Sequence, residues 1–202
     1  MINRLAIIGV GLIGGSLALG LKKAGQVNEV VAYARKSETR QRALELGIAD
    51  RIEGSLAETV KGADMVLLSV PMGAMADVFS ELAPLVTDTM MITDAGSAKA
   101  QVVEAARAAL GDKVSQFVPG HPIAGTEKSG PSAAFAELYQ DHRVVLTPLA
   151  ETSQKALHQV KLMWQTVGAE VFEMAVEHHD VVLAATSHLP HLLAFNLVGM
   201  LA

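Results

Sequence analysis

One short segment combines the residue types that acid–base chemistry needs. Gly120-His121-Pro122-Ile123-Ala124-Gly125-Thr126-Glu127 places a histidine between a glycine and a proline, close to a Thr-Glu pair. Histidine titrates near neutral pH, so its imidazole is suited to take a proton from a substrate. The segment predicts a rigid polar loop in which His121 is the general base.

A glycine pattern near the N-terminus predicts a dinucleotide site. Gly9, Gly11 and Gly14 follow the order G-x-G-x-x-G between an apolar run and a helical pattern. In this motif the first glycine permits a tight turn, the second lets the backbone approach a pyrophosphate, and the third lets helix and strand pack closely. The N–H groups of Leu12 and Ile13 then face the anion at a helix N-terminus. A glycine turn without a ligand is the alternative, which the strand–helix context disfavours.

The end of the second predicted strand bears on the choice of cofactor. An acidic residue here binds the adenine ribose hydroxyls and favours NAD. This chain instead carries Arg35, Lys36 and Ser37, which suit a 2′-phosphate through charge-assisted hydrogen bonds. The pattern favours NADP, with NAD or the use of both cofactors as the alternative. These residues could also be a solvated helix start with no role in cofactor binding.

The segments 94–99, 120–122 and 187–191 are expected to converge at the carboxyl edge of the sheet. Ser69-Val70-Pro71 ends a buried strand and is predicted near the nicotinamide ribose, unless it is a simple strand stop. Ser97 follows another strand and either orients the base and the substrate hydroxyl or caps the next helix. His191 starts the final apolar run, and we expect it to point into the cleft, with a hydrogen-bonded histidine in a helix interface as the alternative.

Four histidines near the C-terminal end raise the alternative of a metal site. His188 and His191 are three residues apart and share a helix face. No acidic ligand lies at a recognisable spacing, and Pro190 is expected to disturb the helix between them, so we predict no metal. The segment His178-His179-Asp180 is predicted to be a solvated helix surface.

Strand and helix patterns alternate along most of the chain. Buried strands are predicted at 5–10, 29–33, 50–52, 63–71, 90–93, 116–118, 144–147 and 171–174, and helices at 13–24, 37–46, 75–85, 99–110 and 151–167. This order predicts an α/β domain with a Rossmann-like doubly wound sheet over residues 1–174. Residues 175–202 are predicted to begin an all-helical domain.

Composition limits the function classes. The 202 residues are 50% apolar and 18% charged with a net charge of −5, which allows a sizeable core and argues against a nucleic-acid binder. Cysteine is absent, so no disulfide or thiolate site forms. The short apolar N-terminus leads into the glycine turn and predicts a strand rather than a signal peptide. The longest apolar stretch, 181–202, contains His188, Pro190, His191 and Asn196 and is predicted to form a buried helix pair at a protein interface. We therefore expect no membrane span and a cytoplasmic protein.

The last eleven residues, 192–202, are almost wholly apolar and lack a polar helix cap. An apolar helix that ends in this way usually has more protein to pack against. We therefore expect either that the chain is a fragment or that this helix packs on a partner subunit.

Four motifs together resemble the prephenate dehydrogenase family, which includes arogenate and cyclohexadienyl dehydrogenases. The resemblance spans nearly the whole chain, and HPIAGTE is its most specific part. The motifs are GVGLIGGS at 9–16, DAGSAK at 94–99, GHPIAGTEKSG at 120–130 and SHLPH at 187–191.

The resemblance implies NAD(P)-dependent oxidative decarboxylation in tyrosine biosynthesis, which converts prephenate to 4-hydroxyphenylpyruvate or arogenate to tyrosine. By the same resemblance, His121 deprotonates the ring hydroxyl, and Ser97 hydrogen-bonds to that hydroxyl and to His121. Thr126 and Glu127 are implied to lie at the substrate pocket, and His191 to contact the substrate.

The resemblance also implies a homodimer through an all-helical domain, which supplies an arginine for a substrate carboxylate; this chain stops before that arginine. A non-catalytic NAD(P)-binding module or fragment is the alternative function. A β-hydroxyacid or imine reductase on the same fold is a third, but it typically needs a lysine on the helical domain, and none follows Lys161.

Overall fold

The computed structural model describes residues 1–201. Within this range the strands are β1 (Ile2–Ile8), β2 (Val27–Tyr33), β3 (Arg51–Ile52), β4 (Met65–Leu68), β5 (Met91–Asp94), β6 (Phe117–Val118), β7 (Gly120–Ile123), β8 (Arg143–Leu146) and β9 (Glu170–Glu173). The α-helices are α1 (Leu12–Lys23), α2 (Ser37–Glu45), α3 (Leu56–Val60), α4 (Met75–Leu82), α5 (Lys99–Leu110), α6 (Gln154–Thr166), α7 (Val176–Leu183) and α8 (Leu189–Leu201).

The first six strands form one parallel sheet in the order β3-β2-β1-β4-β5-β6. This is the strand order of a dinucleotide-binding fold, with the change of direction between β1 and β4. A ligand cleft is expected outside the carboxyl ends of the strands at this point. The predicted Rossmann-like doubly wound sheet is therefore confirmed.

Both faces of this sheet are buried, and successive side chains of each strand point to opposite faces. On β1, Ile7 belongs to a core that includes Trp164 of α6. Its neighbour Ile8 belongs to a second core that includes Phe79 of α4. Helices thus cover both faces, which explains why β1 reads as a continuous apolar run rather than an alternating one.

A second sheet of three strands, in the order β7-β8-β9, was not predicted as such. The sequence predicted a polar loop around His121, but the structure places this residue on β7, opposite Val145 of the antiparallel β8. Pro122 is compatible with a strand here because β7 lies at the edge of its sheet, where a missing N–H breaks no ladder on the open side. The candidate base therefore stands on a rigid strand.

Most other predicted elements differ from those in the structure only at their ends, but one short helix was not predicted. The helix α3 was missed because its five residues are too few to show a helical period. It begins after Ser55, whose side chain accepts a hydrogen bond from the backbone N–H of Glu58 at 3.2 Å. The predicted helix at 75–85 ends as α4 at Leu82 and continues as a 3₁₀ turn, Ala83–Leu85.

The C-terminal segment is one continuous helix, Val176–Leu201, in which a π turn (Ala184–His188) joins α7 to α8. Pro190 does not interrupt it, because the proline falls in the first turn of α8, directly after the π turn. Only α7 packs on the domain, whereas α8 is exposed, and Phe195 is 77% exposed. By length and composition alone, this helix is long and apolar enough to cross a membrane. Its most apolar window of 18 residues has a mean hydropathy of 1.5.

Candidate active site

A cleft of about 640 Å³ opens at the carboxyl ends of β1, β2 and β4. It is lined by seven of the residues predicted to bind the cofactor: Gly9, Gly11, Arg35, Lys36, Ser69, Val70 and Pro71. Residues that were not predicted to bind the cofactor also line it, including Tyr33, Thr39 and the acidic Asp77 and Glu81 of α4. The cleft lies where this fold binds dinucleotides.

The three glycines of the fingerprint have different surroundings. Gly9 has a φ of +96°, and a Cβ there would lie 2.5 Å from the carbonyl oxygen of Ser69. A Cβ at Gly14 would collide with the Ser69 hydroxyl and lie 2.8 Å from the carbonyl oxygen of Gly9. A Cβ at Gly11 would meet no atom of the described structure within 4 Å. Gly9 and Gly14 are therefore needed for packing, while the backbone at Gly11 is open to a ligand.

The remaining predicted cofactor residues lie near this cleft or just outside its lining. Leu12, Ile13 and Gly14 form the first turn of α1, where backbone N–H groups face an anion. Ser37 starts α2 and is exposed, but it is not part of the cleft lining, which Thr39 reaches two residues further along. The open backbone at Gly11 and this helix N-terminus fit the pyrophosphate of a dinucleotide.

His121 is hydrogen-bonded to a histidine from the C-terminal helix. Its Nδ1 lies 2.9 Å from Nε2 of His179, and Nδ1 of His179 lies 2.7 Å from an oxygen of Asp180. The Asp180 carboxylate also accepts hydrogen bonds from the backbone N–H groups of Lys99 at 2.7 Å and Ala100 at 2.9 Å. Asp180 thus caps α5 and orients the two histidines.

The prediction that His178-His179-Asp180 is a solvated surface was wrong for His179, which is completely buried. Successive residues on an α-helix point about 100° apart, so His178 faces solvent while His179 faces the domain. The sequence feature that could have predicted this burial is the spacing of His179 and Leu183. They are four residues apart, share one helix face and are both buried.

The hydrogen bonds determine which nitrogens carry protons. An ionised Asp180 only accepts, so Nδ1 of His179 must donate to it. Nε2 of neutral His179 then accepts from Nδ1–H of His121, and Nε2 of His121 is left with a free lone pair. In this arrangement Nε2 of His121 is the atom that can accept a proton from a substrate.

The surroundings of His121 disfavour its charged form. Burial is the largest cause, and the positive charge of Lys99 adds to it, so that the pKa of His121 falls to about 3. Burial also lowers the pKa of His179, against the hydrogen bond with Asp180. Burial would raise the pKa of Asp180, but the N–H groups of Ala100 and Lys99 together with His179 outweigh it and hold the pKa of the carboxyl below its usual range.

A buried ion pair fixes the strand that carries His121. Nζ of Lys99 donates to Asp94 at 2.5 Å and to the carbonyl oxygen of Gly120 at 2.7 Å, and both charged side chains are fully buried. The other Asp94 oxygen accepts from N–H of Gly120 at 3.1 Å. Burial lowers the pKa of Lys99, although Asp94 opposes this. The sequence indicated the 94–99 motif but not this pair, because lysines are seldom fully buried.

Ser97 lies between β5 and α5 and is partly buried. It does not cap the helix: the N-cap is Ala98, and the carboxylate of Asp180 binds the first N–H groups instead. Within residues 1–201 no hydrogen bond joins Ser97 to His121, so its catalytic role stays a prediction.

The predicted substrate residues lie in exposed segments. Thr126 and Glu127 are in the loop after β7, where the Thr126 hydroxyl accepts from the N–H of Lys128 at 3.2 Å. His191 is exposed on α8. The described structure does not join these three residues to His121 by hydrogen bonds, and their roles stay predictions. Among residues 1–201 no three His, Asp or Glu side chains converge as metal ligands.

Comparison with known proteins shows which family this chain resembles. The family model for the prephenate dehydrogenase nucleotide-binding domain matches residues 17–173. A cyclohexadienyl dehydrogenase of Zymomonas mobilis is 42% identical over 99% of this chain and 68% of its own length. A prephenate dehydrogenase of Bacillus subtilis is 36% identical over 98% of this chain but only 53% of its own length. The chain thus spans about two thirds of one relative and about half of the other.

A solved structure extends the similarity to three dimensions. The prephenate dehydrogenase of Aquifex aeolicus, in complex with hydroxyphenyl propionate and NAD⁺, superposes with a TM-score of 0.92 at 37% identity, covering 99% of this chain and 69% of that one. The parallel six-stranded sheet agrees with this similarity. The chain belongs to the prephenate dehydrogenase family of oxidoreductases.

Proposed function

We propose that this chain catalyses the NAD(P)-dependent oxidative decarboxylation of prephenate to 4-hydroxyphenylpyruvate, or of arogenate to tyrosine. One observation carries the proposal: Nδ1 of His121 is bonded to His179, which leaves Nε2 available for a substrate, on a strand paired with β8. The named activities of the relatives support it. Because the chain spans only part of their length, the activity of the whole protein is part of the proposal.

In this reaction His121 accepts the proton of the substrate's ring hydroxyl, and Ser97 hydrogen-bonds to the same hydroxyl. Thr126, Glu127 and His191 contact the substrate from the loop and the helix. NAD(P)⁺, when bound, supplies the hydride acceptor. Loss of carbon dioxide makes the ring aromatic and drives the reaction, so the protein needs mainly to position the groups and begin deprotonation.

For the cofactor we favour NADP over NAD. Arg35 and Lys36 are exposed at the rim of the cleft, where two cations would bind a 2′-phosphate. Asp77 and Glu81 line the same cleft and would repel that phosphate, which keeps NAD as the alternative.

Arg35→Ala tests this choice. We expect it to weaken NADP binding by about ten-fold or more and to change NAD binding little, because only NADP carries the 2′-phosphate. Isothermal titration with each cofactor measures both constants. Arg107→Ala, which removes an exposed arginine of α5, is the matched control and should change neither. An equal loss for both cofactors in Arg35→Ala would contradict the role of Arg35.

The exposed helix α8 supports a homodimer. Its apolar side chains cover almost every turn, and we propose that a second copy of the chain packs on them through the helical segment. Because α7 of the same helix carries His179 and Asp180, which are bonded to the domain, a protein partner suits it better than a lipid bilayer. We place the protein in the cytoplasm.

Prephenate and arogenate, each with NAD⁺ and NADP⁺, test the function directly. Reduced cofactor and carbon dioxide should form in equal amounts, either with this chain or with the chain joined to the C-terminal third of the Zymomonas relative. If both proteins fold and bind cofactor but neither turns over either substrate, the non-catalytic NAD(P)-binding module is correct instead.

A further inference from the structure

Two buried or half-buried groups beside the base have no part in the mechanism so far. His179 is fully buried and Asp180 half-buried, and both come from α7, far along the chain from β7. We propose that His179 and Asp180 are positioning residues that fix the tautomer of His121 and receive the proton that it displaces. The inference rests on the proposed role of His121 as base.

The chain of hydrogen bonds from His121 through His179 to Asp180, here called the relay, is geometrically fixed at both ends. The rings of His121 and His179 meet edge to face, with centroids 5.1 Å apart and planes at 64°. At the far end Asp180 is held by two backbone N–H groups of α5 and by His179, so its carboxylate has little freedom to rotate. The positive end of the α5 dipole favours the ionised carboxylate. An ionised, immobile acceptor is what keeps the proton of His179 on Nδ1.

The charges around His121 explain why a relay is needed. The titratable groups that act on it are Lys99 of α5, His179 and Asp180 of α7, and His188 of the π turn. Lys99 is cationic beside it, although paired with Asp94 of β5. A proton retained on His121 would therefore sit in a buried and positive environment, which is unfavourable.

Proton transfer from the substrate through His121 to His179 forms one bond for each bond that it breaks. The substrate O–H bond breaks and the Nε2–H bond of His121 forms, while its Nδ1–H bond breaks and the Nε2–H bond of His179 forms. The positive charge then lies on His179, next to the carboxylate of Asp180. The relay thus ends with the charge of His179 paired to Asp180, whose side chain is 29% exposed whereas that of His179 is fully buried.

Nitrogen-15 NMR of histidine-labelled protein tests the inference without substrate or cofactor. In the wild-type chain near neutral pH, His121 should be the Nδ1–H tautomer, with Nε2 unprotonated. His179→Phe keeps an aromatic ring but no acceptor, so His121 should shift toward the Nε2–H tautomer. His179→Gln restores an amide oxygen as acceptor and should return part of the Nδ1–H population. His178→Phe, at the exposed neighbour, is the control and should leave His121 unchanged.

Two results would overturn the inference: an Nε2–H tautomer of His121 in the wild type, or an unchanged tautomer in a folded His179→Phe variant. If turnover is measured, His179→Phe should lower kcat by roughly 10²-fold and leave cofactor affinity unchanged. Absence of turnover in every protein, with the expected tautomers, would contradict the proposed function but not the relay's control of His121.

Discussion

At the residue scale, the chemistry of His121 depends on groups that lie far from it in sequence. Lys99 and Asp94 hold the backbone of the preceding glycine, and His179 holds one nitrogen of the imidazole. The same burial that orients the ring also lowers its pKa to about 3. His121 therefore enters the reaction neutral over the physiological pH range, which a base requires.

This lowered pKa makes stability depend on pH. Unfolded histidine titrates near ~6.5, so above that pH neither state binds the proton and the contribution of His121 is fully present. As pH falls below ~6.5, only the unfolded chain takes the proton, and stability falls by about 1.4 kcal/mol per pH unit until the folded pKa is approached. Between pH 6.5 and 5 the loss from His121 should be about 2 kcal/mol.

Denaturant unfolding at pH 7 and pH 5 measures this loss. His121→Asn should lose about 2 kcal/mol less than the wild type over that interval. His158→Asn, at an exposed histidine of α6, should retain the wild-type dependence. The same pH dependence in His121→Asn and wild type would show that His121 titrates normally in the folded protein.

At the element scale, the loop between β1 and α1 separates packing from binding. Gly9 and Gly14 are enclosed by the backbone and side chain of Ser69, whose hydroxyl donates to the carbonyl oxygen of Gly9 at 2.5 Å. Gly11 is open. The helix N-terminus behind this loop is thus held in place without using the surface that would meet the pyrophosphate.

Gly11→Val and Gly14→Ala should therefore fail in different ways. At Gly11 the added side chain occupies the ligand's space, so cofactor affinity should fall by about ten-fold or more while the free energy of unfolding changes little. At Gly14 the added Cβ meets the Ser69 hydroxyl and the Gly9 carbonyl, so stability should fall by about 1–3 kcal/mol. Cofactor titration and denaturant unfolding of both variants measure the two effects. A stability loss in Gly11→Val equal to that in Gly14→Ala would contradict the division.

At the scale of the whole molecule, the C-terminal helix has two functions in this account. Its first turns supply His179 and Asp180 to the site, and its later turns expose an apolar surface. An interface on α8 would thus be mechanically continuous with the relay on α7. Assembly through α8 would then be linked to the position of the proposed base.

Self-association through α8 is testable by sedimentation velocity over a range of concentrations. The wild-type chain should form dimers, and Phe195→Glu should shift it to monomer because a buried unpaired carboxylate is costly at an interface. Leu162→Glu, at an exposed apolar residue of α6, is the control and should leave the dimer intact. A wild-type chain that is monomeric at every concentration, or a dimer unaffected by Phe195→Glu, would contradict the proposal.

The local sequence pattern predicted most of the strands and helices of the fold. The apolar run at 63–71 indicates a buried strand, and the helix formers at 99–110 indicate a helix, without any knowledge of the tertiary contacts. The strand β7 escaped prediction because glycine and proline suggest a loop, and only its pairing with β8 makes it a strand. His179 was misplaced because the sequence does not say which side of a helix packs inward. The burial of Lys99 depends on Asp94, and that contact belongs to the tertiary structure.

The most direct test of the account is the kinetics of His121→Asn beside its cofactor affinity. The variant should lower kcat for the accepted substrate by roughly 10³-fold, because asparagine offers no comparable base. Its cofactor dissociation constant should stay within about two-fold of the wild-type value, since His121 is not part of the cofactor cleft lining. Unchanged turnover, or a loss of cofactor binding in proportion to the loss of turnover, would contradict the role of His121 as the general base.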